Sequence, residues 1–169
     1  MENAFIDWVY STRLSWLITT YGWLWPINES LHFCALTLLA GTVGLFDLRL
    51  LGFAKGITPS SLHATLKWGI AGFIVSVVTG VQFFFGAPEQ YYYNDAFRMK
   101  VVFLVLMGAN AALFYWREFP AIQTLGPHDD APRSAKIVAA ASLIFLVGVM
   151  LCGRMLTFFR PPFFWNVNP

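Results

Sequence analysis

The sequence predicts an all-α integral membrane protein, a four-helix bundle preceded by an N-terminal amphipathic helix at the membrane interface. The 169-residue chain is 57% hydrophobic and only 12% charged, about half the charged share of an ordinary soluble domain. Its apolar residues also fall into four long stretches, each of about 20 residues, which is the length that crosses a bilayer as an α-helix. We therefore expect a single membrane domain over residues 1–169.

Residues 4–24 predict the interfacial helix. Asp7 and Arg13 interrupt this aromatic segment, so its longest apolar run is too short to cross a bilayer. Tryptophan side chains prefer the headgroup level of a membrane, and four of them lie in or next to the segment: Trp8, Trp16, Trp23 and Trp25. A fifth span is the alternative interpretation.

The four predicted spans cover 30–52, 62–85, 97–116 and 137–159. Polar or Gly- and Pro-rich turns separate them. Pro26 and Asn28 precede the first span and suit the start of a helix. The second span carries small residues at positions that favour close helix packing: Gly69, Gly72, Ser76 and Gly80.

Ionisable residues in these spans fall at two levels. The outer level comprises His32, Arg98, Lys100 and Arg154, and the inner level comprises Asp47, Arg49, His63 and Lys67. Such side chains are costly in a bilayer unless they face protein, water or a cofactor, so both levels are candidate sites. The distance from His32 to the end of its helix is about 30 Å, so the levels are separated by most of the bilayer and His32 and His63 cannot bind the same haem iron.

The outer level has the composition of a haem b site. A b-type haem needs an axial ligand, usually histidine, in an apolar slot between helices. Cations near the membrane surface neutralise its propionates. His32 would bind the iron, while Arg98, Lys100 and Arg154 would hold the propionates. At the inner level, His63 is the candidate ligand of a second haem, with Lys67 as its cation.

Simpler roles stay open for the same residues. Either histidine can serve only as a hydrogen-bonding partner between helices, and Lys100 can extend its long side chain to the membrane surface. For Asp47 and Arg49 we expect an ion pair between helices, with Lys67 as a candidate partner. The run His128-Asp129-Asp130 lies in a proline-rich loop without further ligands, so a solvated turn is expected there.

Two stretches resemble known membrane proteins. His32, an apolar run with Ala40-Gly41, and then Arg49-Leu50 resemble the first helix of HemJ-type protoporphyrinogen oxidases and CopD-like membrane proteins. The third span, FRMKVVFLVLMGANAALFY, resembles their lysine-bearing helix at Lys100. The segment LFDLRLLG is also similar to an uncharacterised family of small bacterial four-span proteins. The resemblance implies that His32 is a haem b ligand and Lys100 an essential basic group.

The expected location is the bacterial inner membrane. Lys and Arg favour cytoplasmic loops, and six of the 11 lie toward the inner level against five toward the outer level. This distribution predicts that both termini are periplasmic. No removable signal peptide is expected, because no basic region is followed by an apolar run and a small-residue cleavage site.

These observations predict a haem b protein of the inner membrane that acts in electron transfer or quinone-linked oxidation. Its ligands would be membrane lipid and a quinone or porphyrin-like substrate, and partner membrane subunits or further copies of the chain are candidate protein partners. Nucleic acid is not an expected partner, since the net charge is only +2 and no basic stretch is interleaved with aromatic residues. The alternative is a non-catalytic accessory subunit of a larger respiratory or photosynthetic complex.

Overall fold

The computed structural model describes residues 3–159 and confirms the all-α fold class, since no strand occurs among these residues. Four segments are long and apolar enough to cross a membrane: Leu24–Leu51, Pro59–Gly86, Asp95–Ile122 and Arg133–Met155. The chain is therefore a multi-pass membrane protein with a helical bundle. Arg160, one of the basic residues assigned to the outer level, lies outside the described residues.

The N-terminal segment forms two short amphipathic helices instead of the single predicted helix over 4–24. They are α1 (Ala4–Tyr10) and α2 (Arg13–Thr20). The break occurs because Thr12 adopts an extended conformation and caps α2, accepting a hydrogen bond from the Ser15 amide at 3.3 Å. Ile6, Val9 and Ile18 are buried on one face, whereas Trp8 and Trp16 are more than half exposed. Neither helix is long enough to be a fifth span.

Helix α3 (Leu24–Leu51) begins six residues before the predicted first span, with Pro26 in its first turn. Proline fits there because the first amides of a helix have no intrahelical partner. The helix ends at Gly52, whose φ of +104° is left-handed and lets its amide reach the Leu48 and Arg49 carbonyls. At 28 residues, α3 is about 42 Å long.

The second and third spans are interrupted helices. The second consists of α4 (Pro59–His63) and α5 (Leu66–Gly86), and α6 (Pro88–Tyr92) follows it. The third begins as α7 (Asp95–Leu113) and continues through a π-helical turn (Phe114–Glu118) into α8 (Phe119–Ile122). This span extends beyond its predicted end at 116 because the chain stays helical through the wide turn.

The fourth span is α9 (Arg133–Met155), four residues displaced from the predicted 137–159. Helix α3 packs on both α5 and α9, and α7 packs on α9. Close approach of α3 and α5 depends on Gly72, where a Cβ atom would lie 2.6 Å from the Ala35 carbonyl oxygen. The small-residue face predicted on the second span is thus a packing surface for α3.

Helices α5 and α7 do not pack along their lengths within residues 3–159. They are bridged at the outer end, which carries α1, α2 and α6, by the stacked rings of Phe84 and Phe97 at 5.9 Å. At the inner end, the same two spans are bridged by a 3.2 Å hydrogen bond between His63, on α4, and Tyr115, in the π-helical turn. We refer to the gap between these bridges as the α5–α7 cleft.

Loops at the inner end are held together by ionic contacts. Asp130 pairs with Lys55 at 3.1 Å and with Lys136 at 3.2 Å. Hydrogen bonds from Lys55 and then Lys136 hold the pKa of the Asp130 carboxyl below its usual 3.8. Residues 128–130 are exposed, as expected for a solvated turn.

Candidate functional site

His32 is buried, and its ring is held by α5. Its Nδ1 atom lies 2.7 Å from the Thr79 hydroxyl oxygen. The Thr79 hydroxyl also lies 2.7 Å from the Val75 carbonyl, and when it donates there its oxygen accepts from the His32 Nδ1–H. In that tautomer Nε2 carries the lone pair, and a backbone hydrogen bond of the ring to Ser76 adds a further contact with α5. A metal-binding histidine likewise donates from one ring nitrogen and binds the metal through the other.

The residues around this imidazole stabilise its position. Asn28, one turn earlier on α3, donates to the Thr79 backbone carbonyl at 3.1 Å. The Phe83 ring meets the His32 ring edge-on, with centroids 5.6 Å apart. The hydrogen bonds involve residues about 50 positions apart in sequence, which is why sequence reasoning identified His32 but missed Asn28 and Thr79.

Lys100 is the basic residue that the structure brings into electrostatic range of His32. Its partly buried side chain extends from α7 to α9, where Nζ lies 3.7 Å from the position of a Cβ atom on Gly153. Among residues 3–159 this ammonium group has no hydrogen-bond acceptor and no ion-pair partner. A cation without a counter-ion inside a membrane span is expensive, so an anionic ligand would stabilise it.

Arg98 and Arg154 do not complete the expected ring of three cations. The Arg98 side chain is 61% exposed and pairs with Asp95 at 3.3 Å on its own helix. Arg154 is also exposed. Their side chains point away from the interior because both positions lie near helix ends, where long basic side chains extend to the interface.

His63 has a different environment at the inner end. Its Nε2 atom is hydrogen-bonded to the Tyr115 hydroxyl at 3.2 Å, and its ring lies 4.5 Å from that of Phe119. A pocket of about 260 Å³ adjoins it, with Ser60 and Gln123 in the lining. Lys67 is exposed, and its ammonium group lies 5.9 Å from the centre of the Trp68 ring.

The ion pair between helices expected for Asp47 and Arg49, with Lys67 as candidate partner, does not form among the described residues. Arg49 is fully buried and donates to four backbone carbonyls in the inner loops: Ile57, Gly126, Pro127 and Asp129. The Asp47 carboxyl group is buried beside Ser142 of α9. Residues two apart on a helix do not share a face, so these opposite charges point to different places.

Asp47 also lines an apolar cavity of about 210 Å³ in the α5–α7 cleft. Helices α3 and α9 form the floor, and the walls include Phe73 on α5 and Met107 on α7. The other polar residues in the lining are Asn110, Ser142 and Tyr115, whose hydroxyl is bonded to His63. On α3, Asp47 lies 15 residues after His32, about 22 Å along the helix axis, so this cavity is distinct from the His32 site.

The outer level holds two of the groups that a haem site uses. His32 offers an imidazole, and Lys100 offers a cation without a counter-ion among the described residues. The described residues contain no cluster of three or more His, Cys, Asp or Glu side chains that could hold a metal ion by themselves. A porphyrin supplies four nitrogen ligands of its own, so one histidine suffices for it.

Comparison with known proteins identifies a family. The profile of a family of unknown function, DUF6644, matches residues 5–159. No curated protein and no solved structure matches the chain.

Proposed function

This chain belongs to the DUF6644 family, and we propose that it is a haem b protein of the bacterial inner membrane that acts in electron transfer or quinone-linked oxidation. One observation carries the proposal: the buried imidazole of His32 lies within electrostatic range of the partly buried ammonium group of Lys100, which lacks a counter-ion among the described residues. Bound haem would supply a one-electron redox couple at this position.

His32 is the proposed axial ligand. Iron binds the neutral imidazole through a lone pair, and a bond from Nδ1–H to Thr79 favours that tautomer and increases the basicity of Nε2. His63 is a weaker candidate for a second haem, because its Nε2 atom is already bonded to Tyr115. We therefore propose one haem, at the outer level.

Lys100 is the proposed partner of a haem propionate. A carboxylate beside this ammonium group would provide the missing acceptor and counter-charge. Arg98 and Arg154 lie at the same end of the bundle and are exposed, so they would contact the propionates only near the surface. These assignments agree with the resemblance to HemJ-type and CopD-like proteins, which singles out His32 and Lys100. That resemblance also suggests a porphyrin-like substrate as an alternative to a quinone.

An absorption spectrum of the purified protein tests the proposal. Protein purified from bacterial membranes should show a Soret band and, after reduction, an α band. His32→Ala should abolish both bands, whereas His63→Ala, the matched histidine control, should keep them. Size-exclusion profiles show whether each variant is folded. Absence of both bands from well-folded wild-type protein supplied with haem would refute the proposal.

The alternative function is an accessory subunit of a larger membrane complex, built from partner subunits or further copies of the chain. Of the 18 most apolar consecutive residues of the third span, only 11% are buried, compared with 33% in the first and fourth spans. Side chains on this span such as Val105 and Trp116 are largely exposed, and a partner helix could cover them. Purification in mild detergent tests this role. Co-purification of another chain, or of further copies of this one, would support it, and a lone monomer would contradict it.

We further propose that both termini lie on the periplasmic side. The basis is the small excess of Lys and Arg toward the inner level. Reactivity of cysteines introduced at exposed loop positions, such as Ser60 and Gln90, toward a membrane-impermeant reagent would test this orientation. The proposal requires labelling of the Gln90 position and protection of the Ser60 position in intact cells.

A further inference from the structure

The cavity in the α5–α7 cleft has the size of a single aromatic ring. Its volume is about 210 Å³, and an apolar cavity of about 150 Å³ is known to hold benzene. A tetrapyrrole, with four pyrrole rings around a metal, does not fit this space. The cavity therefore suits a smaller molecule than the haem proposed at His32.

Asp47 places one unusual polar atom at this cavity. The residue is only 5% exposed, and its Oδ2 atom is buried without a hydrogen-bond partner in the described part of the chain. Buried acceptors are almost always paired, so an unpaired one indicates a donor that comes from a bound molecule. The ligand that suits Asp47 thus carries a hydroxyl or another donor.

Two other polar groups of the lining, on Asn110 and Ser142, add to the preference for a donor, while the Tyr115 hydroxyl is bonded to His63. The Asn110 amide nitrogen donates to the Val138 carbonyl at 3.1 Å, which fixes the amide and leaves its oxygen as a further acceptor. The Ser142 hydroxyl lies beside the Asp47 carboxyl group. Apolar side chains such as Phe46, Ile70 and Phe73 line most of the remaining wall, which suits an aromatic ring.

The cleft also provides room for an apolar tail. Because α5 and α7 do not pack between the Phe84–Phe97 bridge and the His63–Tyr115 bridge, the side of the cavity away from α3 and α9 faces the surrounding membrane. A molecule with a hydroxylated ring and a long apolar chain could place the ring on Asp47 and the chain in lipid.

We infer that the α5–α7 cleft binds the ring of a lipid-soluble quinol, with a ring hydroxyl donating to the Asp47 carboxylate. This inference rests on the proposed quinone-linked function and assigns its second ligand to a site separate from His32. At a pH where Asp47 is ionised, a quinol suits the site better than the matching quinone, because a quinone offers only carbonyl acceptors to a carboxylate acceptor.

Titration calorimetry on haem-free protein tests the inference separately from haem binding. The protein is the His32→Ala variant in detergent, and the probes are a benzoquinol with a ten-carbon tail, kept reduced without oxygen, and the corresponding quinone. The quinol should bind roughly tenfold more tightly than the quinone. Asp47→Asn should remove this preference, since an amide can donate to a quinone carbonyl.

Glu118→Gln is the matched control, because Glu118 is also a buried carboxylate, 4% exposed, that accepts from Ser134 at 2.7 Å outside the cavity. It should leave both affinities unchanged. Two results would overturn the inference. One is failure of the quinol to bind, and the other is the same preference for quinol over quinone in the His32→Ala protein and in the His32→Ala, Asp47→Asn double variant. Either result leaves the haem assignment at His32 intact. Conversely, quinol binding by a wild-type protein that shows no haem band would reject the haem assignment and leave the quinol site standing.

Discussion

The Nδ1 atom of His32 lies 2.7 Å from the Thr79 hydroxyl oxygen, and the same hydroxyl lies 2.7 Å from the Val75 carbonyl. The imidazole is thus held against α5 before any ligand arrives. Preorganisation of this kind reduces the cost of binding a metal centre.

Thr79→Val should weaken haem binding by about 10- to 100-fold. Valine keeps the shape of threonine but cannot accept from Nδ1, so the ring loses the hydrogen bond that orients it. Titration of haem into the apo-protein, followed at the Soret band, measures the effect. Thr79→Ser keeps the hydroxyl and should bind like the wild type, and unchanged affinity in Thr79→Val would show that the bond has no role in ligation.

Lys100→Met should weaken haem binding roughly tenfold or more, because a charge-assisted hydrogen bond to a propionate is lost. Lys100→Arg should retain much of the affinity. Arg98→Met is the matched control, since Arg98 is exposed and already paired with Asp95. The same Soret titration distinguishes these variants, and equal losses in Lys100→Met and Arg98→Met would argue against a specific role for Lys100.

Arg49→Met should destabilise the protein by about 3 kcal/mol or more, because four buried carbonyls lose a charged donor. Arg49→Lys should recover only part of this loss, since one ammonium group cannot match the planar guanidinium. Thermal unfolding in detergent measures the effect. Arg117→Met, at a side chain that is 71% exposed, should change the unfolding temperature little; a similar drop in both methionine variants would contradict the assignment.

Gly72→Ala should destabilise the bundle by about 1–3 kcal/mol, since the added methyl group would press on the α3 backbone. Gly41→Ala provides the comparison, because no atom lies within 4 Å of its would-be Cβ. Alanine favours a helix over glycine by up to about 1 kcal/mol, so Gly41→Ala should be neutral or stabilising. If the unfolding temperature fell equally in both variants, the destabilisation by Gly72→Ala could not be attributed to close packing of α3 on α5.

Protonation of Asp130 should weaken the inner loops at acidic pH. Since the folded-state pKa is below the usual 3.8, the stabilisation by Lys55 and Lys136 is fully present above 3.8 and is lost as the pH falls through the folded value. Asp130→Asn should thus lower the unfolding temperature near neutral pH and match the wild type in strong acid. A pH-independent difference between the two proteins would contradict this account.

Much of the fold can be predicted from the sequence because a bilayer accepts only long apolar helices or closed barrels. Helix ends are less predictable. Helix α3 starts at Leu24 and α9 at Arg133, before their apolar stretches, because helices extend through polar residues until a cap or turn ends them. The break at Thr12 depends on a side-chain cap. The amphipathic pattern runs through the whole segment and therefore gives no sign of this break.

The site was partly predictable for a related reason. His32, Lys100 and Asp47 stand out because ionisable residues are rare in apolar helices. Their partners depend on tertiary contacts that hydropathy does not contain. Thr79 contacts the His32 ring only because the fold places it opposite that ring, on α5. Arg49 binds backbone carbonyls whose positions depend on the folded loops.

The wide turn at Phe114–Glu118 makes the length of the third span as important as its composition. It contains one residue more than a regular turn, as the bond from the Phe119 amide to the Phe114 carbonyl shows. Winding the same residues as a regular α-helix would rotate the C-terminal end of the span by about 100°. Glu118 would then turn away from Ser134, so the wide turn decides which side chains of this end face the bundle.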